Sequence, residues 1–134
     1  MKKTAADIAF AFIDHINAHD VHRLATLMTD DFLFVDGLGQ EVRGSRQMEK
    51  GWEAYFTWFP DYSIQVDEAF CQGPLVGLFG SAQGTYAVDG KLLPENRWKI
   101  PAAWKAVVRD ERMAEWRVYA DNEPVWKIMR VKRD

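Results

Sequence analysis

The hydrophobic pattern of this chain changes from a helical period to a period of two close to Pro60. Before that residue, apolar side chains recur at helical spacing, and the first stripe comprises Ile8, Ala9, Phe12, Ile13 and Ile16. After it they alternate with polar residues, beginning with Tyr62, Ile64 and Val66. Helices followed by consecutive strands are typical of an α+β fold, whereas a parallel sheet needs strands and helices in alternation.

Three helices are predicted in the first half of the chain. Thr4 caps the first, Asp20 caps a shorter second one, and Gly44-Ser45 opens a third that Pro60 ends. Between the second and third helices, Phe32 to Val35 is predicted to be a buried strand. After a turn at two glycines, residues 40–43 are predicted to return as a short paired strand.

Turn residues divide the second half into strands at roughly 75–88, 97–109 and 113–121, and a last apolar segment runs from Val125 to Val131. Strands of this length must twist and coil. We therefore expect a cone-shaped barrel made of a highly curved antiparallel sheet, with the N-terminal helices across its concave side. Because the chain has no linker and no repeat, residues 1–134 are predicted to form one domain.

The composition argues against several classes of protein. Seventeen Lys and Arg residues against twenty Asp and Glu residues give a formal net charge of −3, which disfavours nucleic-acid binding. The one cysteine, Cys71, cannot form an internal disulfide and favours a reducing compartment, so we expect a cytoplasmic protein. No apolar run reaches membrane-spanning length, so no membrane partner is expected.

Cofactor and metal motifs are missing from the sequence. It has no glycine-rich phosphate loop and no nucleophile elbow. His15 and His19 have a spacing of four residues that suits a metal, but no third ligand accompanies them, and a solvated helix face is the favoured explanation. We predict neither a metal nor a cofactor.

Two carboxylates stand where apolar strands end. Asp36 follows the buried run of residues 32–35, and Asp121 follows the run of residues 116–120. A carboxyl group at the mouth of an apolar cavity is desolvated, which raises its pKa and makes it a general acid or base near neutral pH. The alternative is that each begins a turn, at Gly37 and Asn122 respectively, because Asp is a preferred turn residue.

The direction in which Asp121 points depends on the parity of its strand. On a regular strand the even-numbered residues of 113–121 share one face, and Arg117, Tyr119 and Asp121 share the other. If the even set faces the cone, Asp121 reaches it only through a bulge or the end of the strand. If the odd set does, Arg117 and Tyr119 lie beside the acid. Both arrangements stay open.

The third helix carries an aromatic stripe. Trp52, Tyr55, Phe56 and Phe59 lie within about 100° of one another around a helix of 3.6 residues per turn. Flat rings leave gaps unless they interlock, so aromatic walls with a few polar groups suit a ligand site. The alternative is a filled aromatic core.

The layout resembles the SnoaL-like group of the nuclear transport factor 2-like superfamily. The segments that carry the resemblance are Asp30 to Gly37, Arg43-Gly44 before the third helix, Ile100 to Trp104, and Met113 to Asp121. It spans nearly the whole chain and implies the cone-shaped, cystatin-like α+β fold of that superfamily.

The enzymes of the superfamily can be compared position by position. In ketosteroid isomerases the base is an aspartate after the first strand, which matches Asp36, but the oxyanion donors fall at Phe12 and Ala103, which cannot donate. Limonene epoxide hydrolases activate water with an Asp-Arg-Asp set. Its middle-strand part would fall near Pro101 to Ala103, where this chain has no such residue. SnoaL-type cyclases use an aspartate on the last long strand, which Asp121 resembles, whereas their assisting histidine is replaced at Ala103-Trp104.

The resemblance implies a small-molecule pocket protein, namely a cofactor-free isomerase or aldol-type cyclase of the SnoaL type acting on an apolar carbonyl compound. We predict Asp121 and Asp36 as catalytic residues. The predicted ligand-binding residues are Phe12, Trp52, Tyr55, Phe56, Phe59, Arg43, Trp104 and Tyr119. The alternative is a non-catalytic ligand-binding domain, or a homodimeric scaffold domain, of the same fold.

The strand at 97–109 is partly apolar on both of its faces. Trp98, Ile100, Ala102 and Trp104 share one side, and Ala103 and Val107 share the other. Apolar residues on both sides imply a partner on the convex face. We therefore predict a homodimer formed through the sheet, as is common in the superfamily that the chain resembles.

Overall fold

The computed structural model describes residues 2–133 of the chain. Its elements, in chain order, are α1 (Ala5–Asn17), α2 (Val21–Leu27), β1 (Met28–Val35), β2 (Glu41–Arg43), α3 (Ser45–Trp58), β3 (Ser63–Gln72), β4 (Leu75–Thr85), a 3-10 turn (Pro94–Asn96), β5 (Arg97–Arg109), β6 (Arg112–Tyr119) and α4 (Glu123–Arg133). The predicted α+β order is confirmed.

Local chemistry sets the helix starts. The Thr4 hydroxyl accepts the amide hydrogen of Asp7 at 3.1 Å, and the Asp7 carboxylate accepts that of Thr4 at 3.0 Å, which makes a capping box before α1. Asp20 accepts the amide hydrogen of Arg23 at 3.1 Å and caps α2. Gly44 precedes α3 with φ 95°, a conformation that favours glycine.

The six strands form one sheet in the order β2-β1-β6-β5-β4-β3. Every neighbouring pair is antiparallel except β1 and β6, which run parallel. Since β2 and β3 are the two edges, the sheet is curved but not closed into a complete barrel. The helix α1 packs against β3, β4, β5 and β6, and α3 packs against β1 and β2, so the helices cover the concave side as predicted.

Irregular pairing bends the sheet. The register of β3 and β4 shifts between Val66 and Glu68, and that of β5 and β6 shifts between Val107 and Val108. A bulge bends its strand and increases the local twist. Gly80 lies at the first shift, where a Cβ atom would overlap the carbonyl oxygen of Gln65.

One predicted strand end was wrong. The strand predicted for 75–88 ends at Thr85, because the Asp61 carboxylate accepts hydrogen bonds from the amide and the hydroxyl of that residue, at 2.7 and 2.6 Å. The last apolar segment, Val125 to Val131, lies inside α4. Val125 and Met129 are four residues apart, which puts them on one face of that helix.

No helix among residues 2–133 is long and apolar enough to cross a membrane.

Candidate functional site

The even-numbered residues of β6 face the concave side of the sheet. Trp116 is 1% exposed, and Trp116, Val118 and Ala120 all line a cavity of about 550 Å³ between the sheet, α3 and α4. Tyr119, of the opposite parity, is 52% exposed on the convex face. The parity that the sequence left open is therefore settled in favour of Trp116 and its even-numbered neighbours.

All six tryptophans of the chain line this cavity. They come from four elements and the cavity walls are otherwise mostly aromatic and aliphatic. The tryptophans and the other aromatic residues of the lining are Phe34, Trp52, Tyr55, Trp58, Phe59, Tyr62, Trp98, Trp104, Trp116 and Trp126.

Three of the four predicted stripe residues on α3 line the cavity, namely Trp52, Tyr55 and Phe59. The fourth, Phe56, does not, because its ring stacks on the imidazole of His19 with 4.0 Å between centroids. The imidazole is held in turn by a 2.6 Å hydrogen bond between its Nε2 and the carbonyl oxygen of Tyr62. His19 is thus a structural residue behind the cavity wall.

The aromatic walls meet at steep angles. The ring of Tyr55 stands at 90° to the rings of both Trp52 and Tyr62, and the ring of Phe59 stands at 85° to that of Trp98. Edge-to-face pairs of this kind are favourable, and they place neighbouring rings in different planes. The cavity therefore has walls of several orientations instead of one flat stack.

Trp98 owes its place to Gly84, its partner on β4. A Cβ atom at Gly84 would lie 3.1 Å from Cζ2 of the indole, which is tighter than ordinary contact. Because glycine has no side chain, the large indole lies directly against the strand, and it still lines the cavity.

Two indole N–H groups at the cavity have no protein acceptor. Nε1 of Trp52 and Nε1 of Trp98 are buried and make no hydrogen bond within the described chain. Each residue is only 5% exposed and each lines the cavity. A buried donor without a partner is costly, so an acceptor that reached either group would be bound favourably.

The two tyrosines of the lining are held in their neutral form. Burial raises the pKa of the Tyr55 hydroxyl well above its usual value, and the neighbouring Tyr62 raises it further. Burial also raises the pKa of Tyr62, which the interaction with Tyr55 offsets only in part. Both hydroxyls therefore remain protonated at neutral pH.

Asp36 lines the cavity at the end of β1. Its Oδ1 accepts the amide hydrogens of Leu38 and Gln40, both at 2.9 Å, so it also shapes the following turn. Gly37 brings this turn close to the end of β6, since a Cβ atom there would lie 2.7 Å from the carbonyl oxygen of Ala120. The Asp36 side chain therefore both lines the cavity and stabilises the turn that follows β1.

Four predicted site residues lie outside the cavity, besides Phe56. The carboxylate of Asp121 is exposed and accepts the amide hydrogen of Glu123 at 3.0 Å at the start of α4. Arg43 is exposed and pairs with Glu41 at 3.3 Å. Tyr119 points to the convex face, and Phe12 is fully buried, with its ring 5.1 Å from that of Trp116.

The charge of the lining is simple. Asp36 is the one charged residue among the residues that line the cavity, and no Lys, Arg or His from the described part of the chain accompanies it. Among residues 2–133, no group of three or more His, Cys, Asp or Glu side chains has a geometry that suits a metal ion.

A family model described as the SnoaL-like domain matches residues 9–121. The chain belongs to the SnoaL-like domain family. No curated protein matches it by sequence.

Solved structures resemble this SnoaL-like protein in fold. A protein from Shewanella putrefaciens, named as a SnoaL-like polyketide cyclase, has a TM-score of 0.77 at 19% identity and covers 96% of this chain and 84% of its own. An NTF2-like protein from Cytophaga hutchinsonii has a TM-score of 0.73 at 18% identity, with 94% and 97% covered. A protein with a ketosteroid isomerase-like fold from Catenulispora acidiphila, in complex with trimethylamine, has a TM-score of 0.73 at 19% identity, with 87% and 86% covered.

Several residues of the SnoaL-like cavity were not predicted from the sequence. Trp98 shares its strand face with Trp104, so the alternation of β5 contained the signal for it. Tyr62 follows α3 directly, and only its packing against Tyr55 reveals its position. Trp126 was visible only as part of an apolar segment, because α4 had not been recognised as a helix.

Proposed function

We propose that this protein binds a small, largely apolar organic molecule and that Asp36 exchanges a proton with it. The observation that carries the proposal is the cavity of about 550 Å³, which has all six tryptophans and a single carboxylate in its lining. Aromatic walls with a few polar groups are the usual composition of small-molecule sites. A filled aromatic core, which the sequence left open, would have no space of this size.

The reaction class that these groups support is proton transfer at a carbon next to a carbonyl, as in isomerisation or aldol-type cyclisation. The Asp36 carboxylate would take the proton from that carbon, and an enolate would form. The enolate oxygen would accept a hydrogen bond from the buried N–H of Trp52 or Trp98, and Asp36 would then return the proton. These donors replace the ones missing at Phe12 and Ala103.

Asp121 has no part in this proposal. Its carboxylate is exposed at the start of α4, and the odd-numbered side of β6 points away from the cavity. A proton acceptor has to come within hydrogen-bond distance of the proton that it removes. The structures that resemble this chain support the binding part, since one has the name of a polyketide cyclase and one holds trimethylamine.

The alternative is a binding protein without chemistry. It is favoured by one specific observation, the use of Asp36 Oδ1 by the amides of Leu38 and Gln40. A carboxylate held by a turn has only its second oxygen available for proton transfer. Both readings share the cavity and differ only in the role of Asp36.

An exchange experiment separates the two readings without knowledge of the natural substrate. The probe is 2-tetralone, an apolar bicyclic ketone, and the measurement is deuterium incorporation next to its carbonyl in D2O, followed by NMR. We expect the wild-type protein to accelerate exchange and Asp36→Asn to lose about a hundredfold of that acceleration. The asparagine Oδ1 can still accept both turn hydrogen bonds, so the shape is kept.

Asp121→Asn is the matched control, because it removes the same charge from a turn outside the cavity. It should leave the exchange rate within about twofold of wild type, well short of a general-base effect. Binding of 2-tetralone is measured in parallel by tryptophan fluorescence. Binding without accelerated exchange would support the non-catalytic reading, and the absence of binding would overturn the proposal.

We further propose that two copies of the chain associate through the convex face of the sheet. Four large apolar side chains are exposed there, with exposed fractions of 64% for Phe70, 42% for Leu75, 46% for Phe79 and 52% for Tyr119. Phe79, Ala103 and Tyr119 are neighbours across β4, β5 and β6. An exposed apolar patch that crosses several strands is typical of a protein interface.

A cytoplasmic location completes the proposal. Cys71 is a free, exposed thiol, and such a side chain persists most readily in a reducing compartment. Fractionation of cells that express the tagged protein would test this directly.

A further inference from the structure

The charge of the cavity lining indicates which class of ligand the cavity would bind. Asp36 supplies the single formal charge among the described residues of the lining, and it is negative. A low-dielectric cavity with charge of one sign concentrates ligands of the opposite sign. Nothing in the described lining would balance a carboxylate or a phosphate on a ligand.

Three basic side chains of neighbouring elements pair with acids outside the cavity. Arg43 on β2 pairs with Glu41 at 3.3 Å, and Arg130 on α4 pairs with Glu123 at 2.6 Å. On the convex face, Lys105 pairs with Glu115 at 3.3 Å. None of these cations compensates the charge of Asp36.

Aromatic residues line the cavity near the end of β1, where Asp36 follows the strand. Phe34 stands two residues before Asp36, and both line the cavity. The Phe34 ring is 6.4 Å from the ring of Trp52, and Phe34 pairs in register with Trp116 on β6. The faces of aromatic rings, and of tryptophan most of all, attract cations, and the attraction strengthens where water is excluded.

From this combination we infer that the ligand is an organic cation, a tertiary or quaternary ammonium on an apolar body. Its positive nitrogen lies against the rings of Phe34 and Trp52, with Asp36 as the counterion. The inference rests on the proposed binding function and is independent of whether Asp36 also transfers a proton. A negatively charged ligand is disfavoured by the same two features.

Two observations narrow the class further. A metal ion needs several oxygen, nitrogen or sulfur ligands, and the described residues offer no such cluster. The unpaired N–H groups of Trp52 and Trp98 call for an acceptor elsewhere on the same ligand. An alkylated amine that also carries a hydroxyl or carbonyl oxygen satisfies the carboxylate, the ring faces and the indole donors together.

An isosteric pair of probes tests the inference. Benzyltrimethylammonium carries the charge, neopentylbenzene has the same shape with carbon in place of nitrogen, and phenylacetate serves as an anion. Binding is followed by the fluorescence of the cavity tryptophans. We expect the cation to bind about tenfold more tightly than its neutral isostere, and phenylacetate to bind more weakly than either.

The variants Asp36→Asn and Asp110→Asn test whether Asp36 is the counterion of the bound cation. Asp110 lies in the turn between β5 and β6 with φ 53°, which asparagine tolerates, and it does not line the cavity. Asp36→Asn should weaken binding of the cation about tenfold and leave the neutral isostere unchanged, whereas Asp110→Asn should change neither.

Each contrary outcome has a distinct meaning. Equal or tighter binding of neopentylbenzene to the wild type would overturn the cation inference and leave the binding function standing. Cation binding that Asp36→Asn does not weaken would overturn the assignment of Asp36 as counterion. If neither probe binds, the proposed binding function itself fails.

Discussion

Asp36 and Asp121 are the same residue type in nearly the same local setting, yet only one belongs to the cavity. Both follow an apolar strand, and each accepts the amide hydrogen of the residue two positions later. The difference arises from parity, because Asp36 lies on the inward side of its strand end and Asp121 on the outward side. A single residue step along a strand therefore separates a cavity-lining carboxylate from one that accepts a hydrogen bond at the start of α4.

Tyr62 gives a prediction at the same scale. Burial holds the Tyr62 hydroxyl protonated in the folded protein, whereas the unfolded chain loses that proton near pH 10. The raised pKa therefore contributes stability that is fully present below about pH 10 and is lost as the pH rises beyond it. Tyr62→Phe should show a smaller fall in the free energy of unfolding above pH 10 than the wild type.

Urea unfolding at a series of alkaline pH values measures this difference. Lysines titrate in the same range but are common to both proteins, so they cancel in the comparison. Equal slopes for Tyr62→Phe and the wild type would contradict the prediction.

At the scale of elements, the bend between β3 and β4 depends on one glycine. A Cβ atom on Gly80 would overlap the carbonyl oxygen of Gln65 and lie 2.8 Å from its carbonyl carbon. Both are backbone atoms, so the clash cannot be relieved by turning a side chain. Gly80 thus allows the bulge at Val66 and Glu68, which bends the sheet.

Replacement of Gly80 by alanine should therefore destabilise the protein by about 1–3 kcal/mol, the usual range for overpacking. Gly77 on the same strand is the matched control, because a Cβ atom there meets Phe79 at an ordinary 3.6 Å. Gly77→Ala should cost less than about 0.5 kcal/mol, as surface substitutions do. Urea unfolding measures both, and a similar cost for the two variants would argue against the bulge as the cause.

The helix α4 acts at this scale by covering the cavity. Val125, Trp126 and Met129 line the cavity from this helix, and Val125 is 4% exposed. The matched SnoaL-like domain ends at residue 121, immediately before α4. The helix therefore adds apolar wall to the cavity beyond the residues that match the family model.

At the scale of the whole molecule, the apolar residues on the convex face of the sheet predict a homodimer. A second copy would cover Phe70, Phe79 and Tyr119, which are large, apolar and exposed together. Stable interfaces bury about 1,200–2,000 Å² in total, and a four-stranded sheet face is large enough to supply half of that. We expect a dimer at micromolar concentration by light scattering.

Phe79→Glu should convert this dimer to a monomer, because it places a charge in the middle of the apolar patch. Leu38→Glu is the control, since Leu38 is equally apolar and 64% exposed but lies in the turn after β1, away from the sheet face. Its mass should remain that of the dimer. A wild-type protein that is monomeric at micromolar concentration would remove the proposal.

The first three helices and most strands followed from the sequence alone, since their determinants are local. The capping box of Thr4 and Asp7, the cap at Asp20 and the change of period near Pro60 each involve residues only a few positions apart. The strand boundary at Thr85 was missed because its cause, the carboxylate of Asp61, lies 24 residues away.

Which residues line the cavity, by contrast, depends on the tertiary structure. The aromatic stripe of α3 was predicted from helical spacing. The ring of Phe56, however, stacks on His19 and does not line the cavity. The six tryptophans and the net charge of −3 stand in the sequence, whereas the gathering of the six indoles around one cavity with Asp36 in its lining does not. Spacing determines which side chains share a face, but only the packing of distant elements determines what that face encloses.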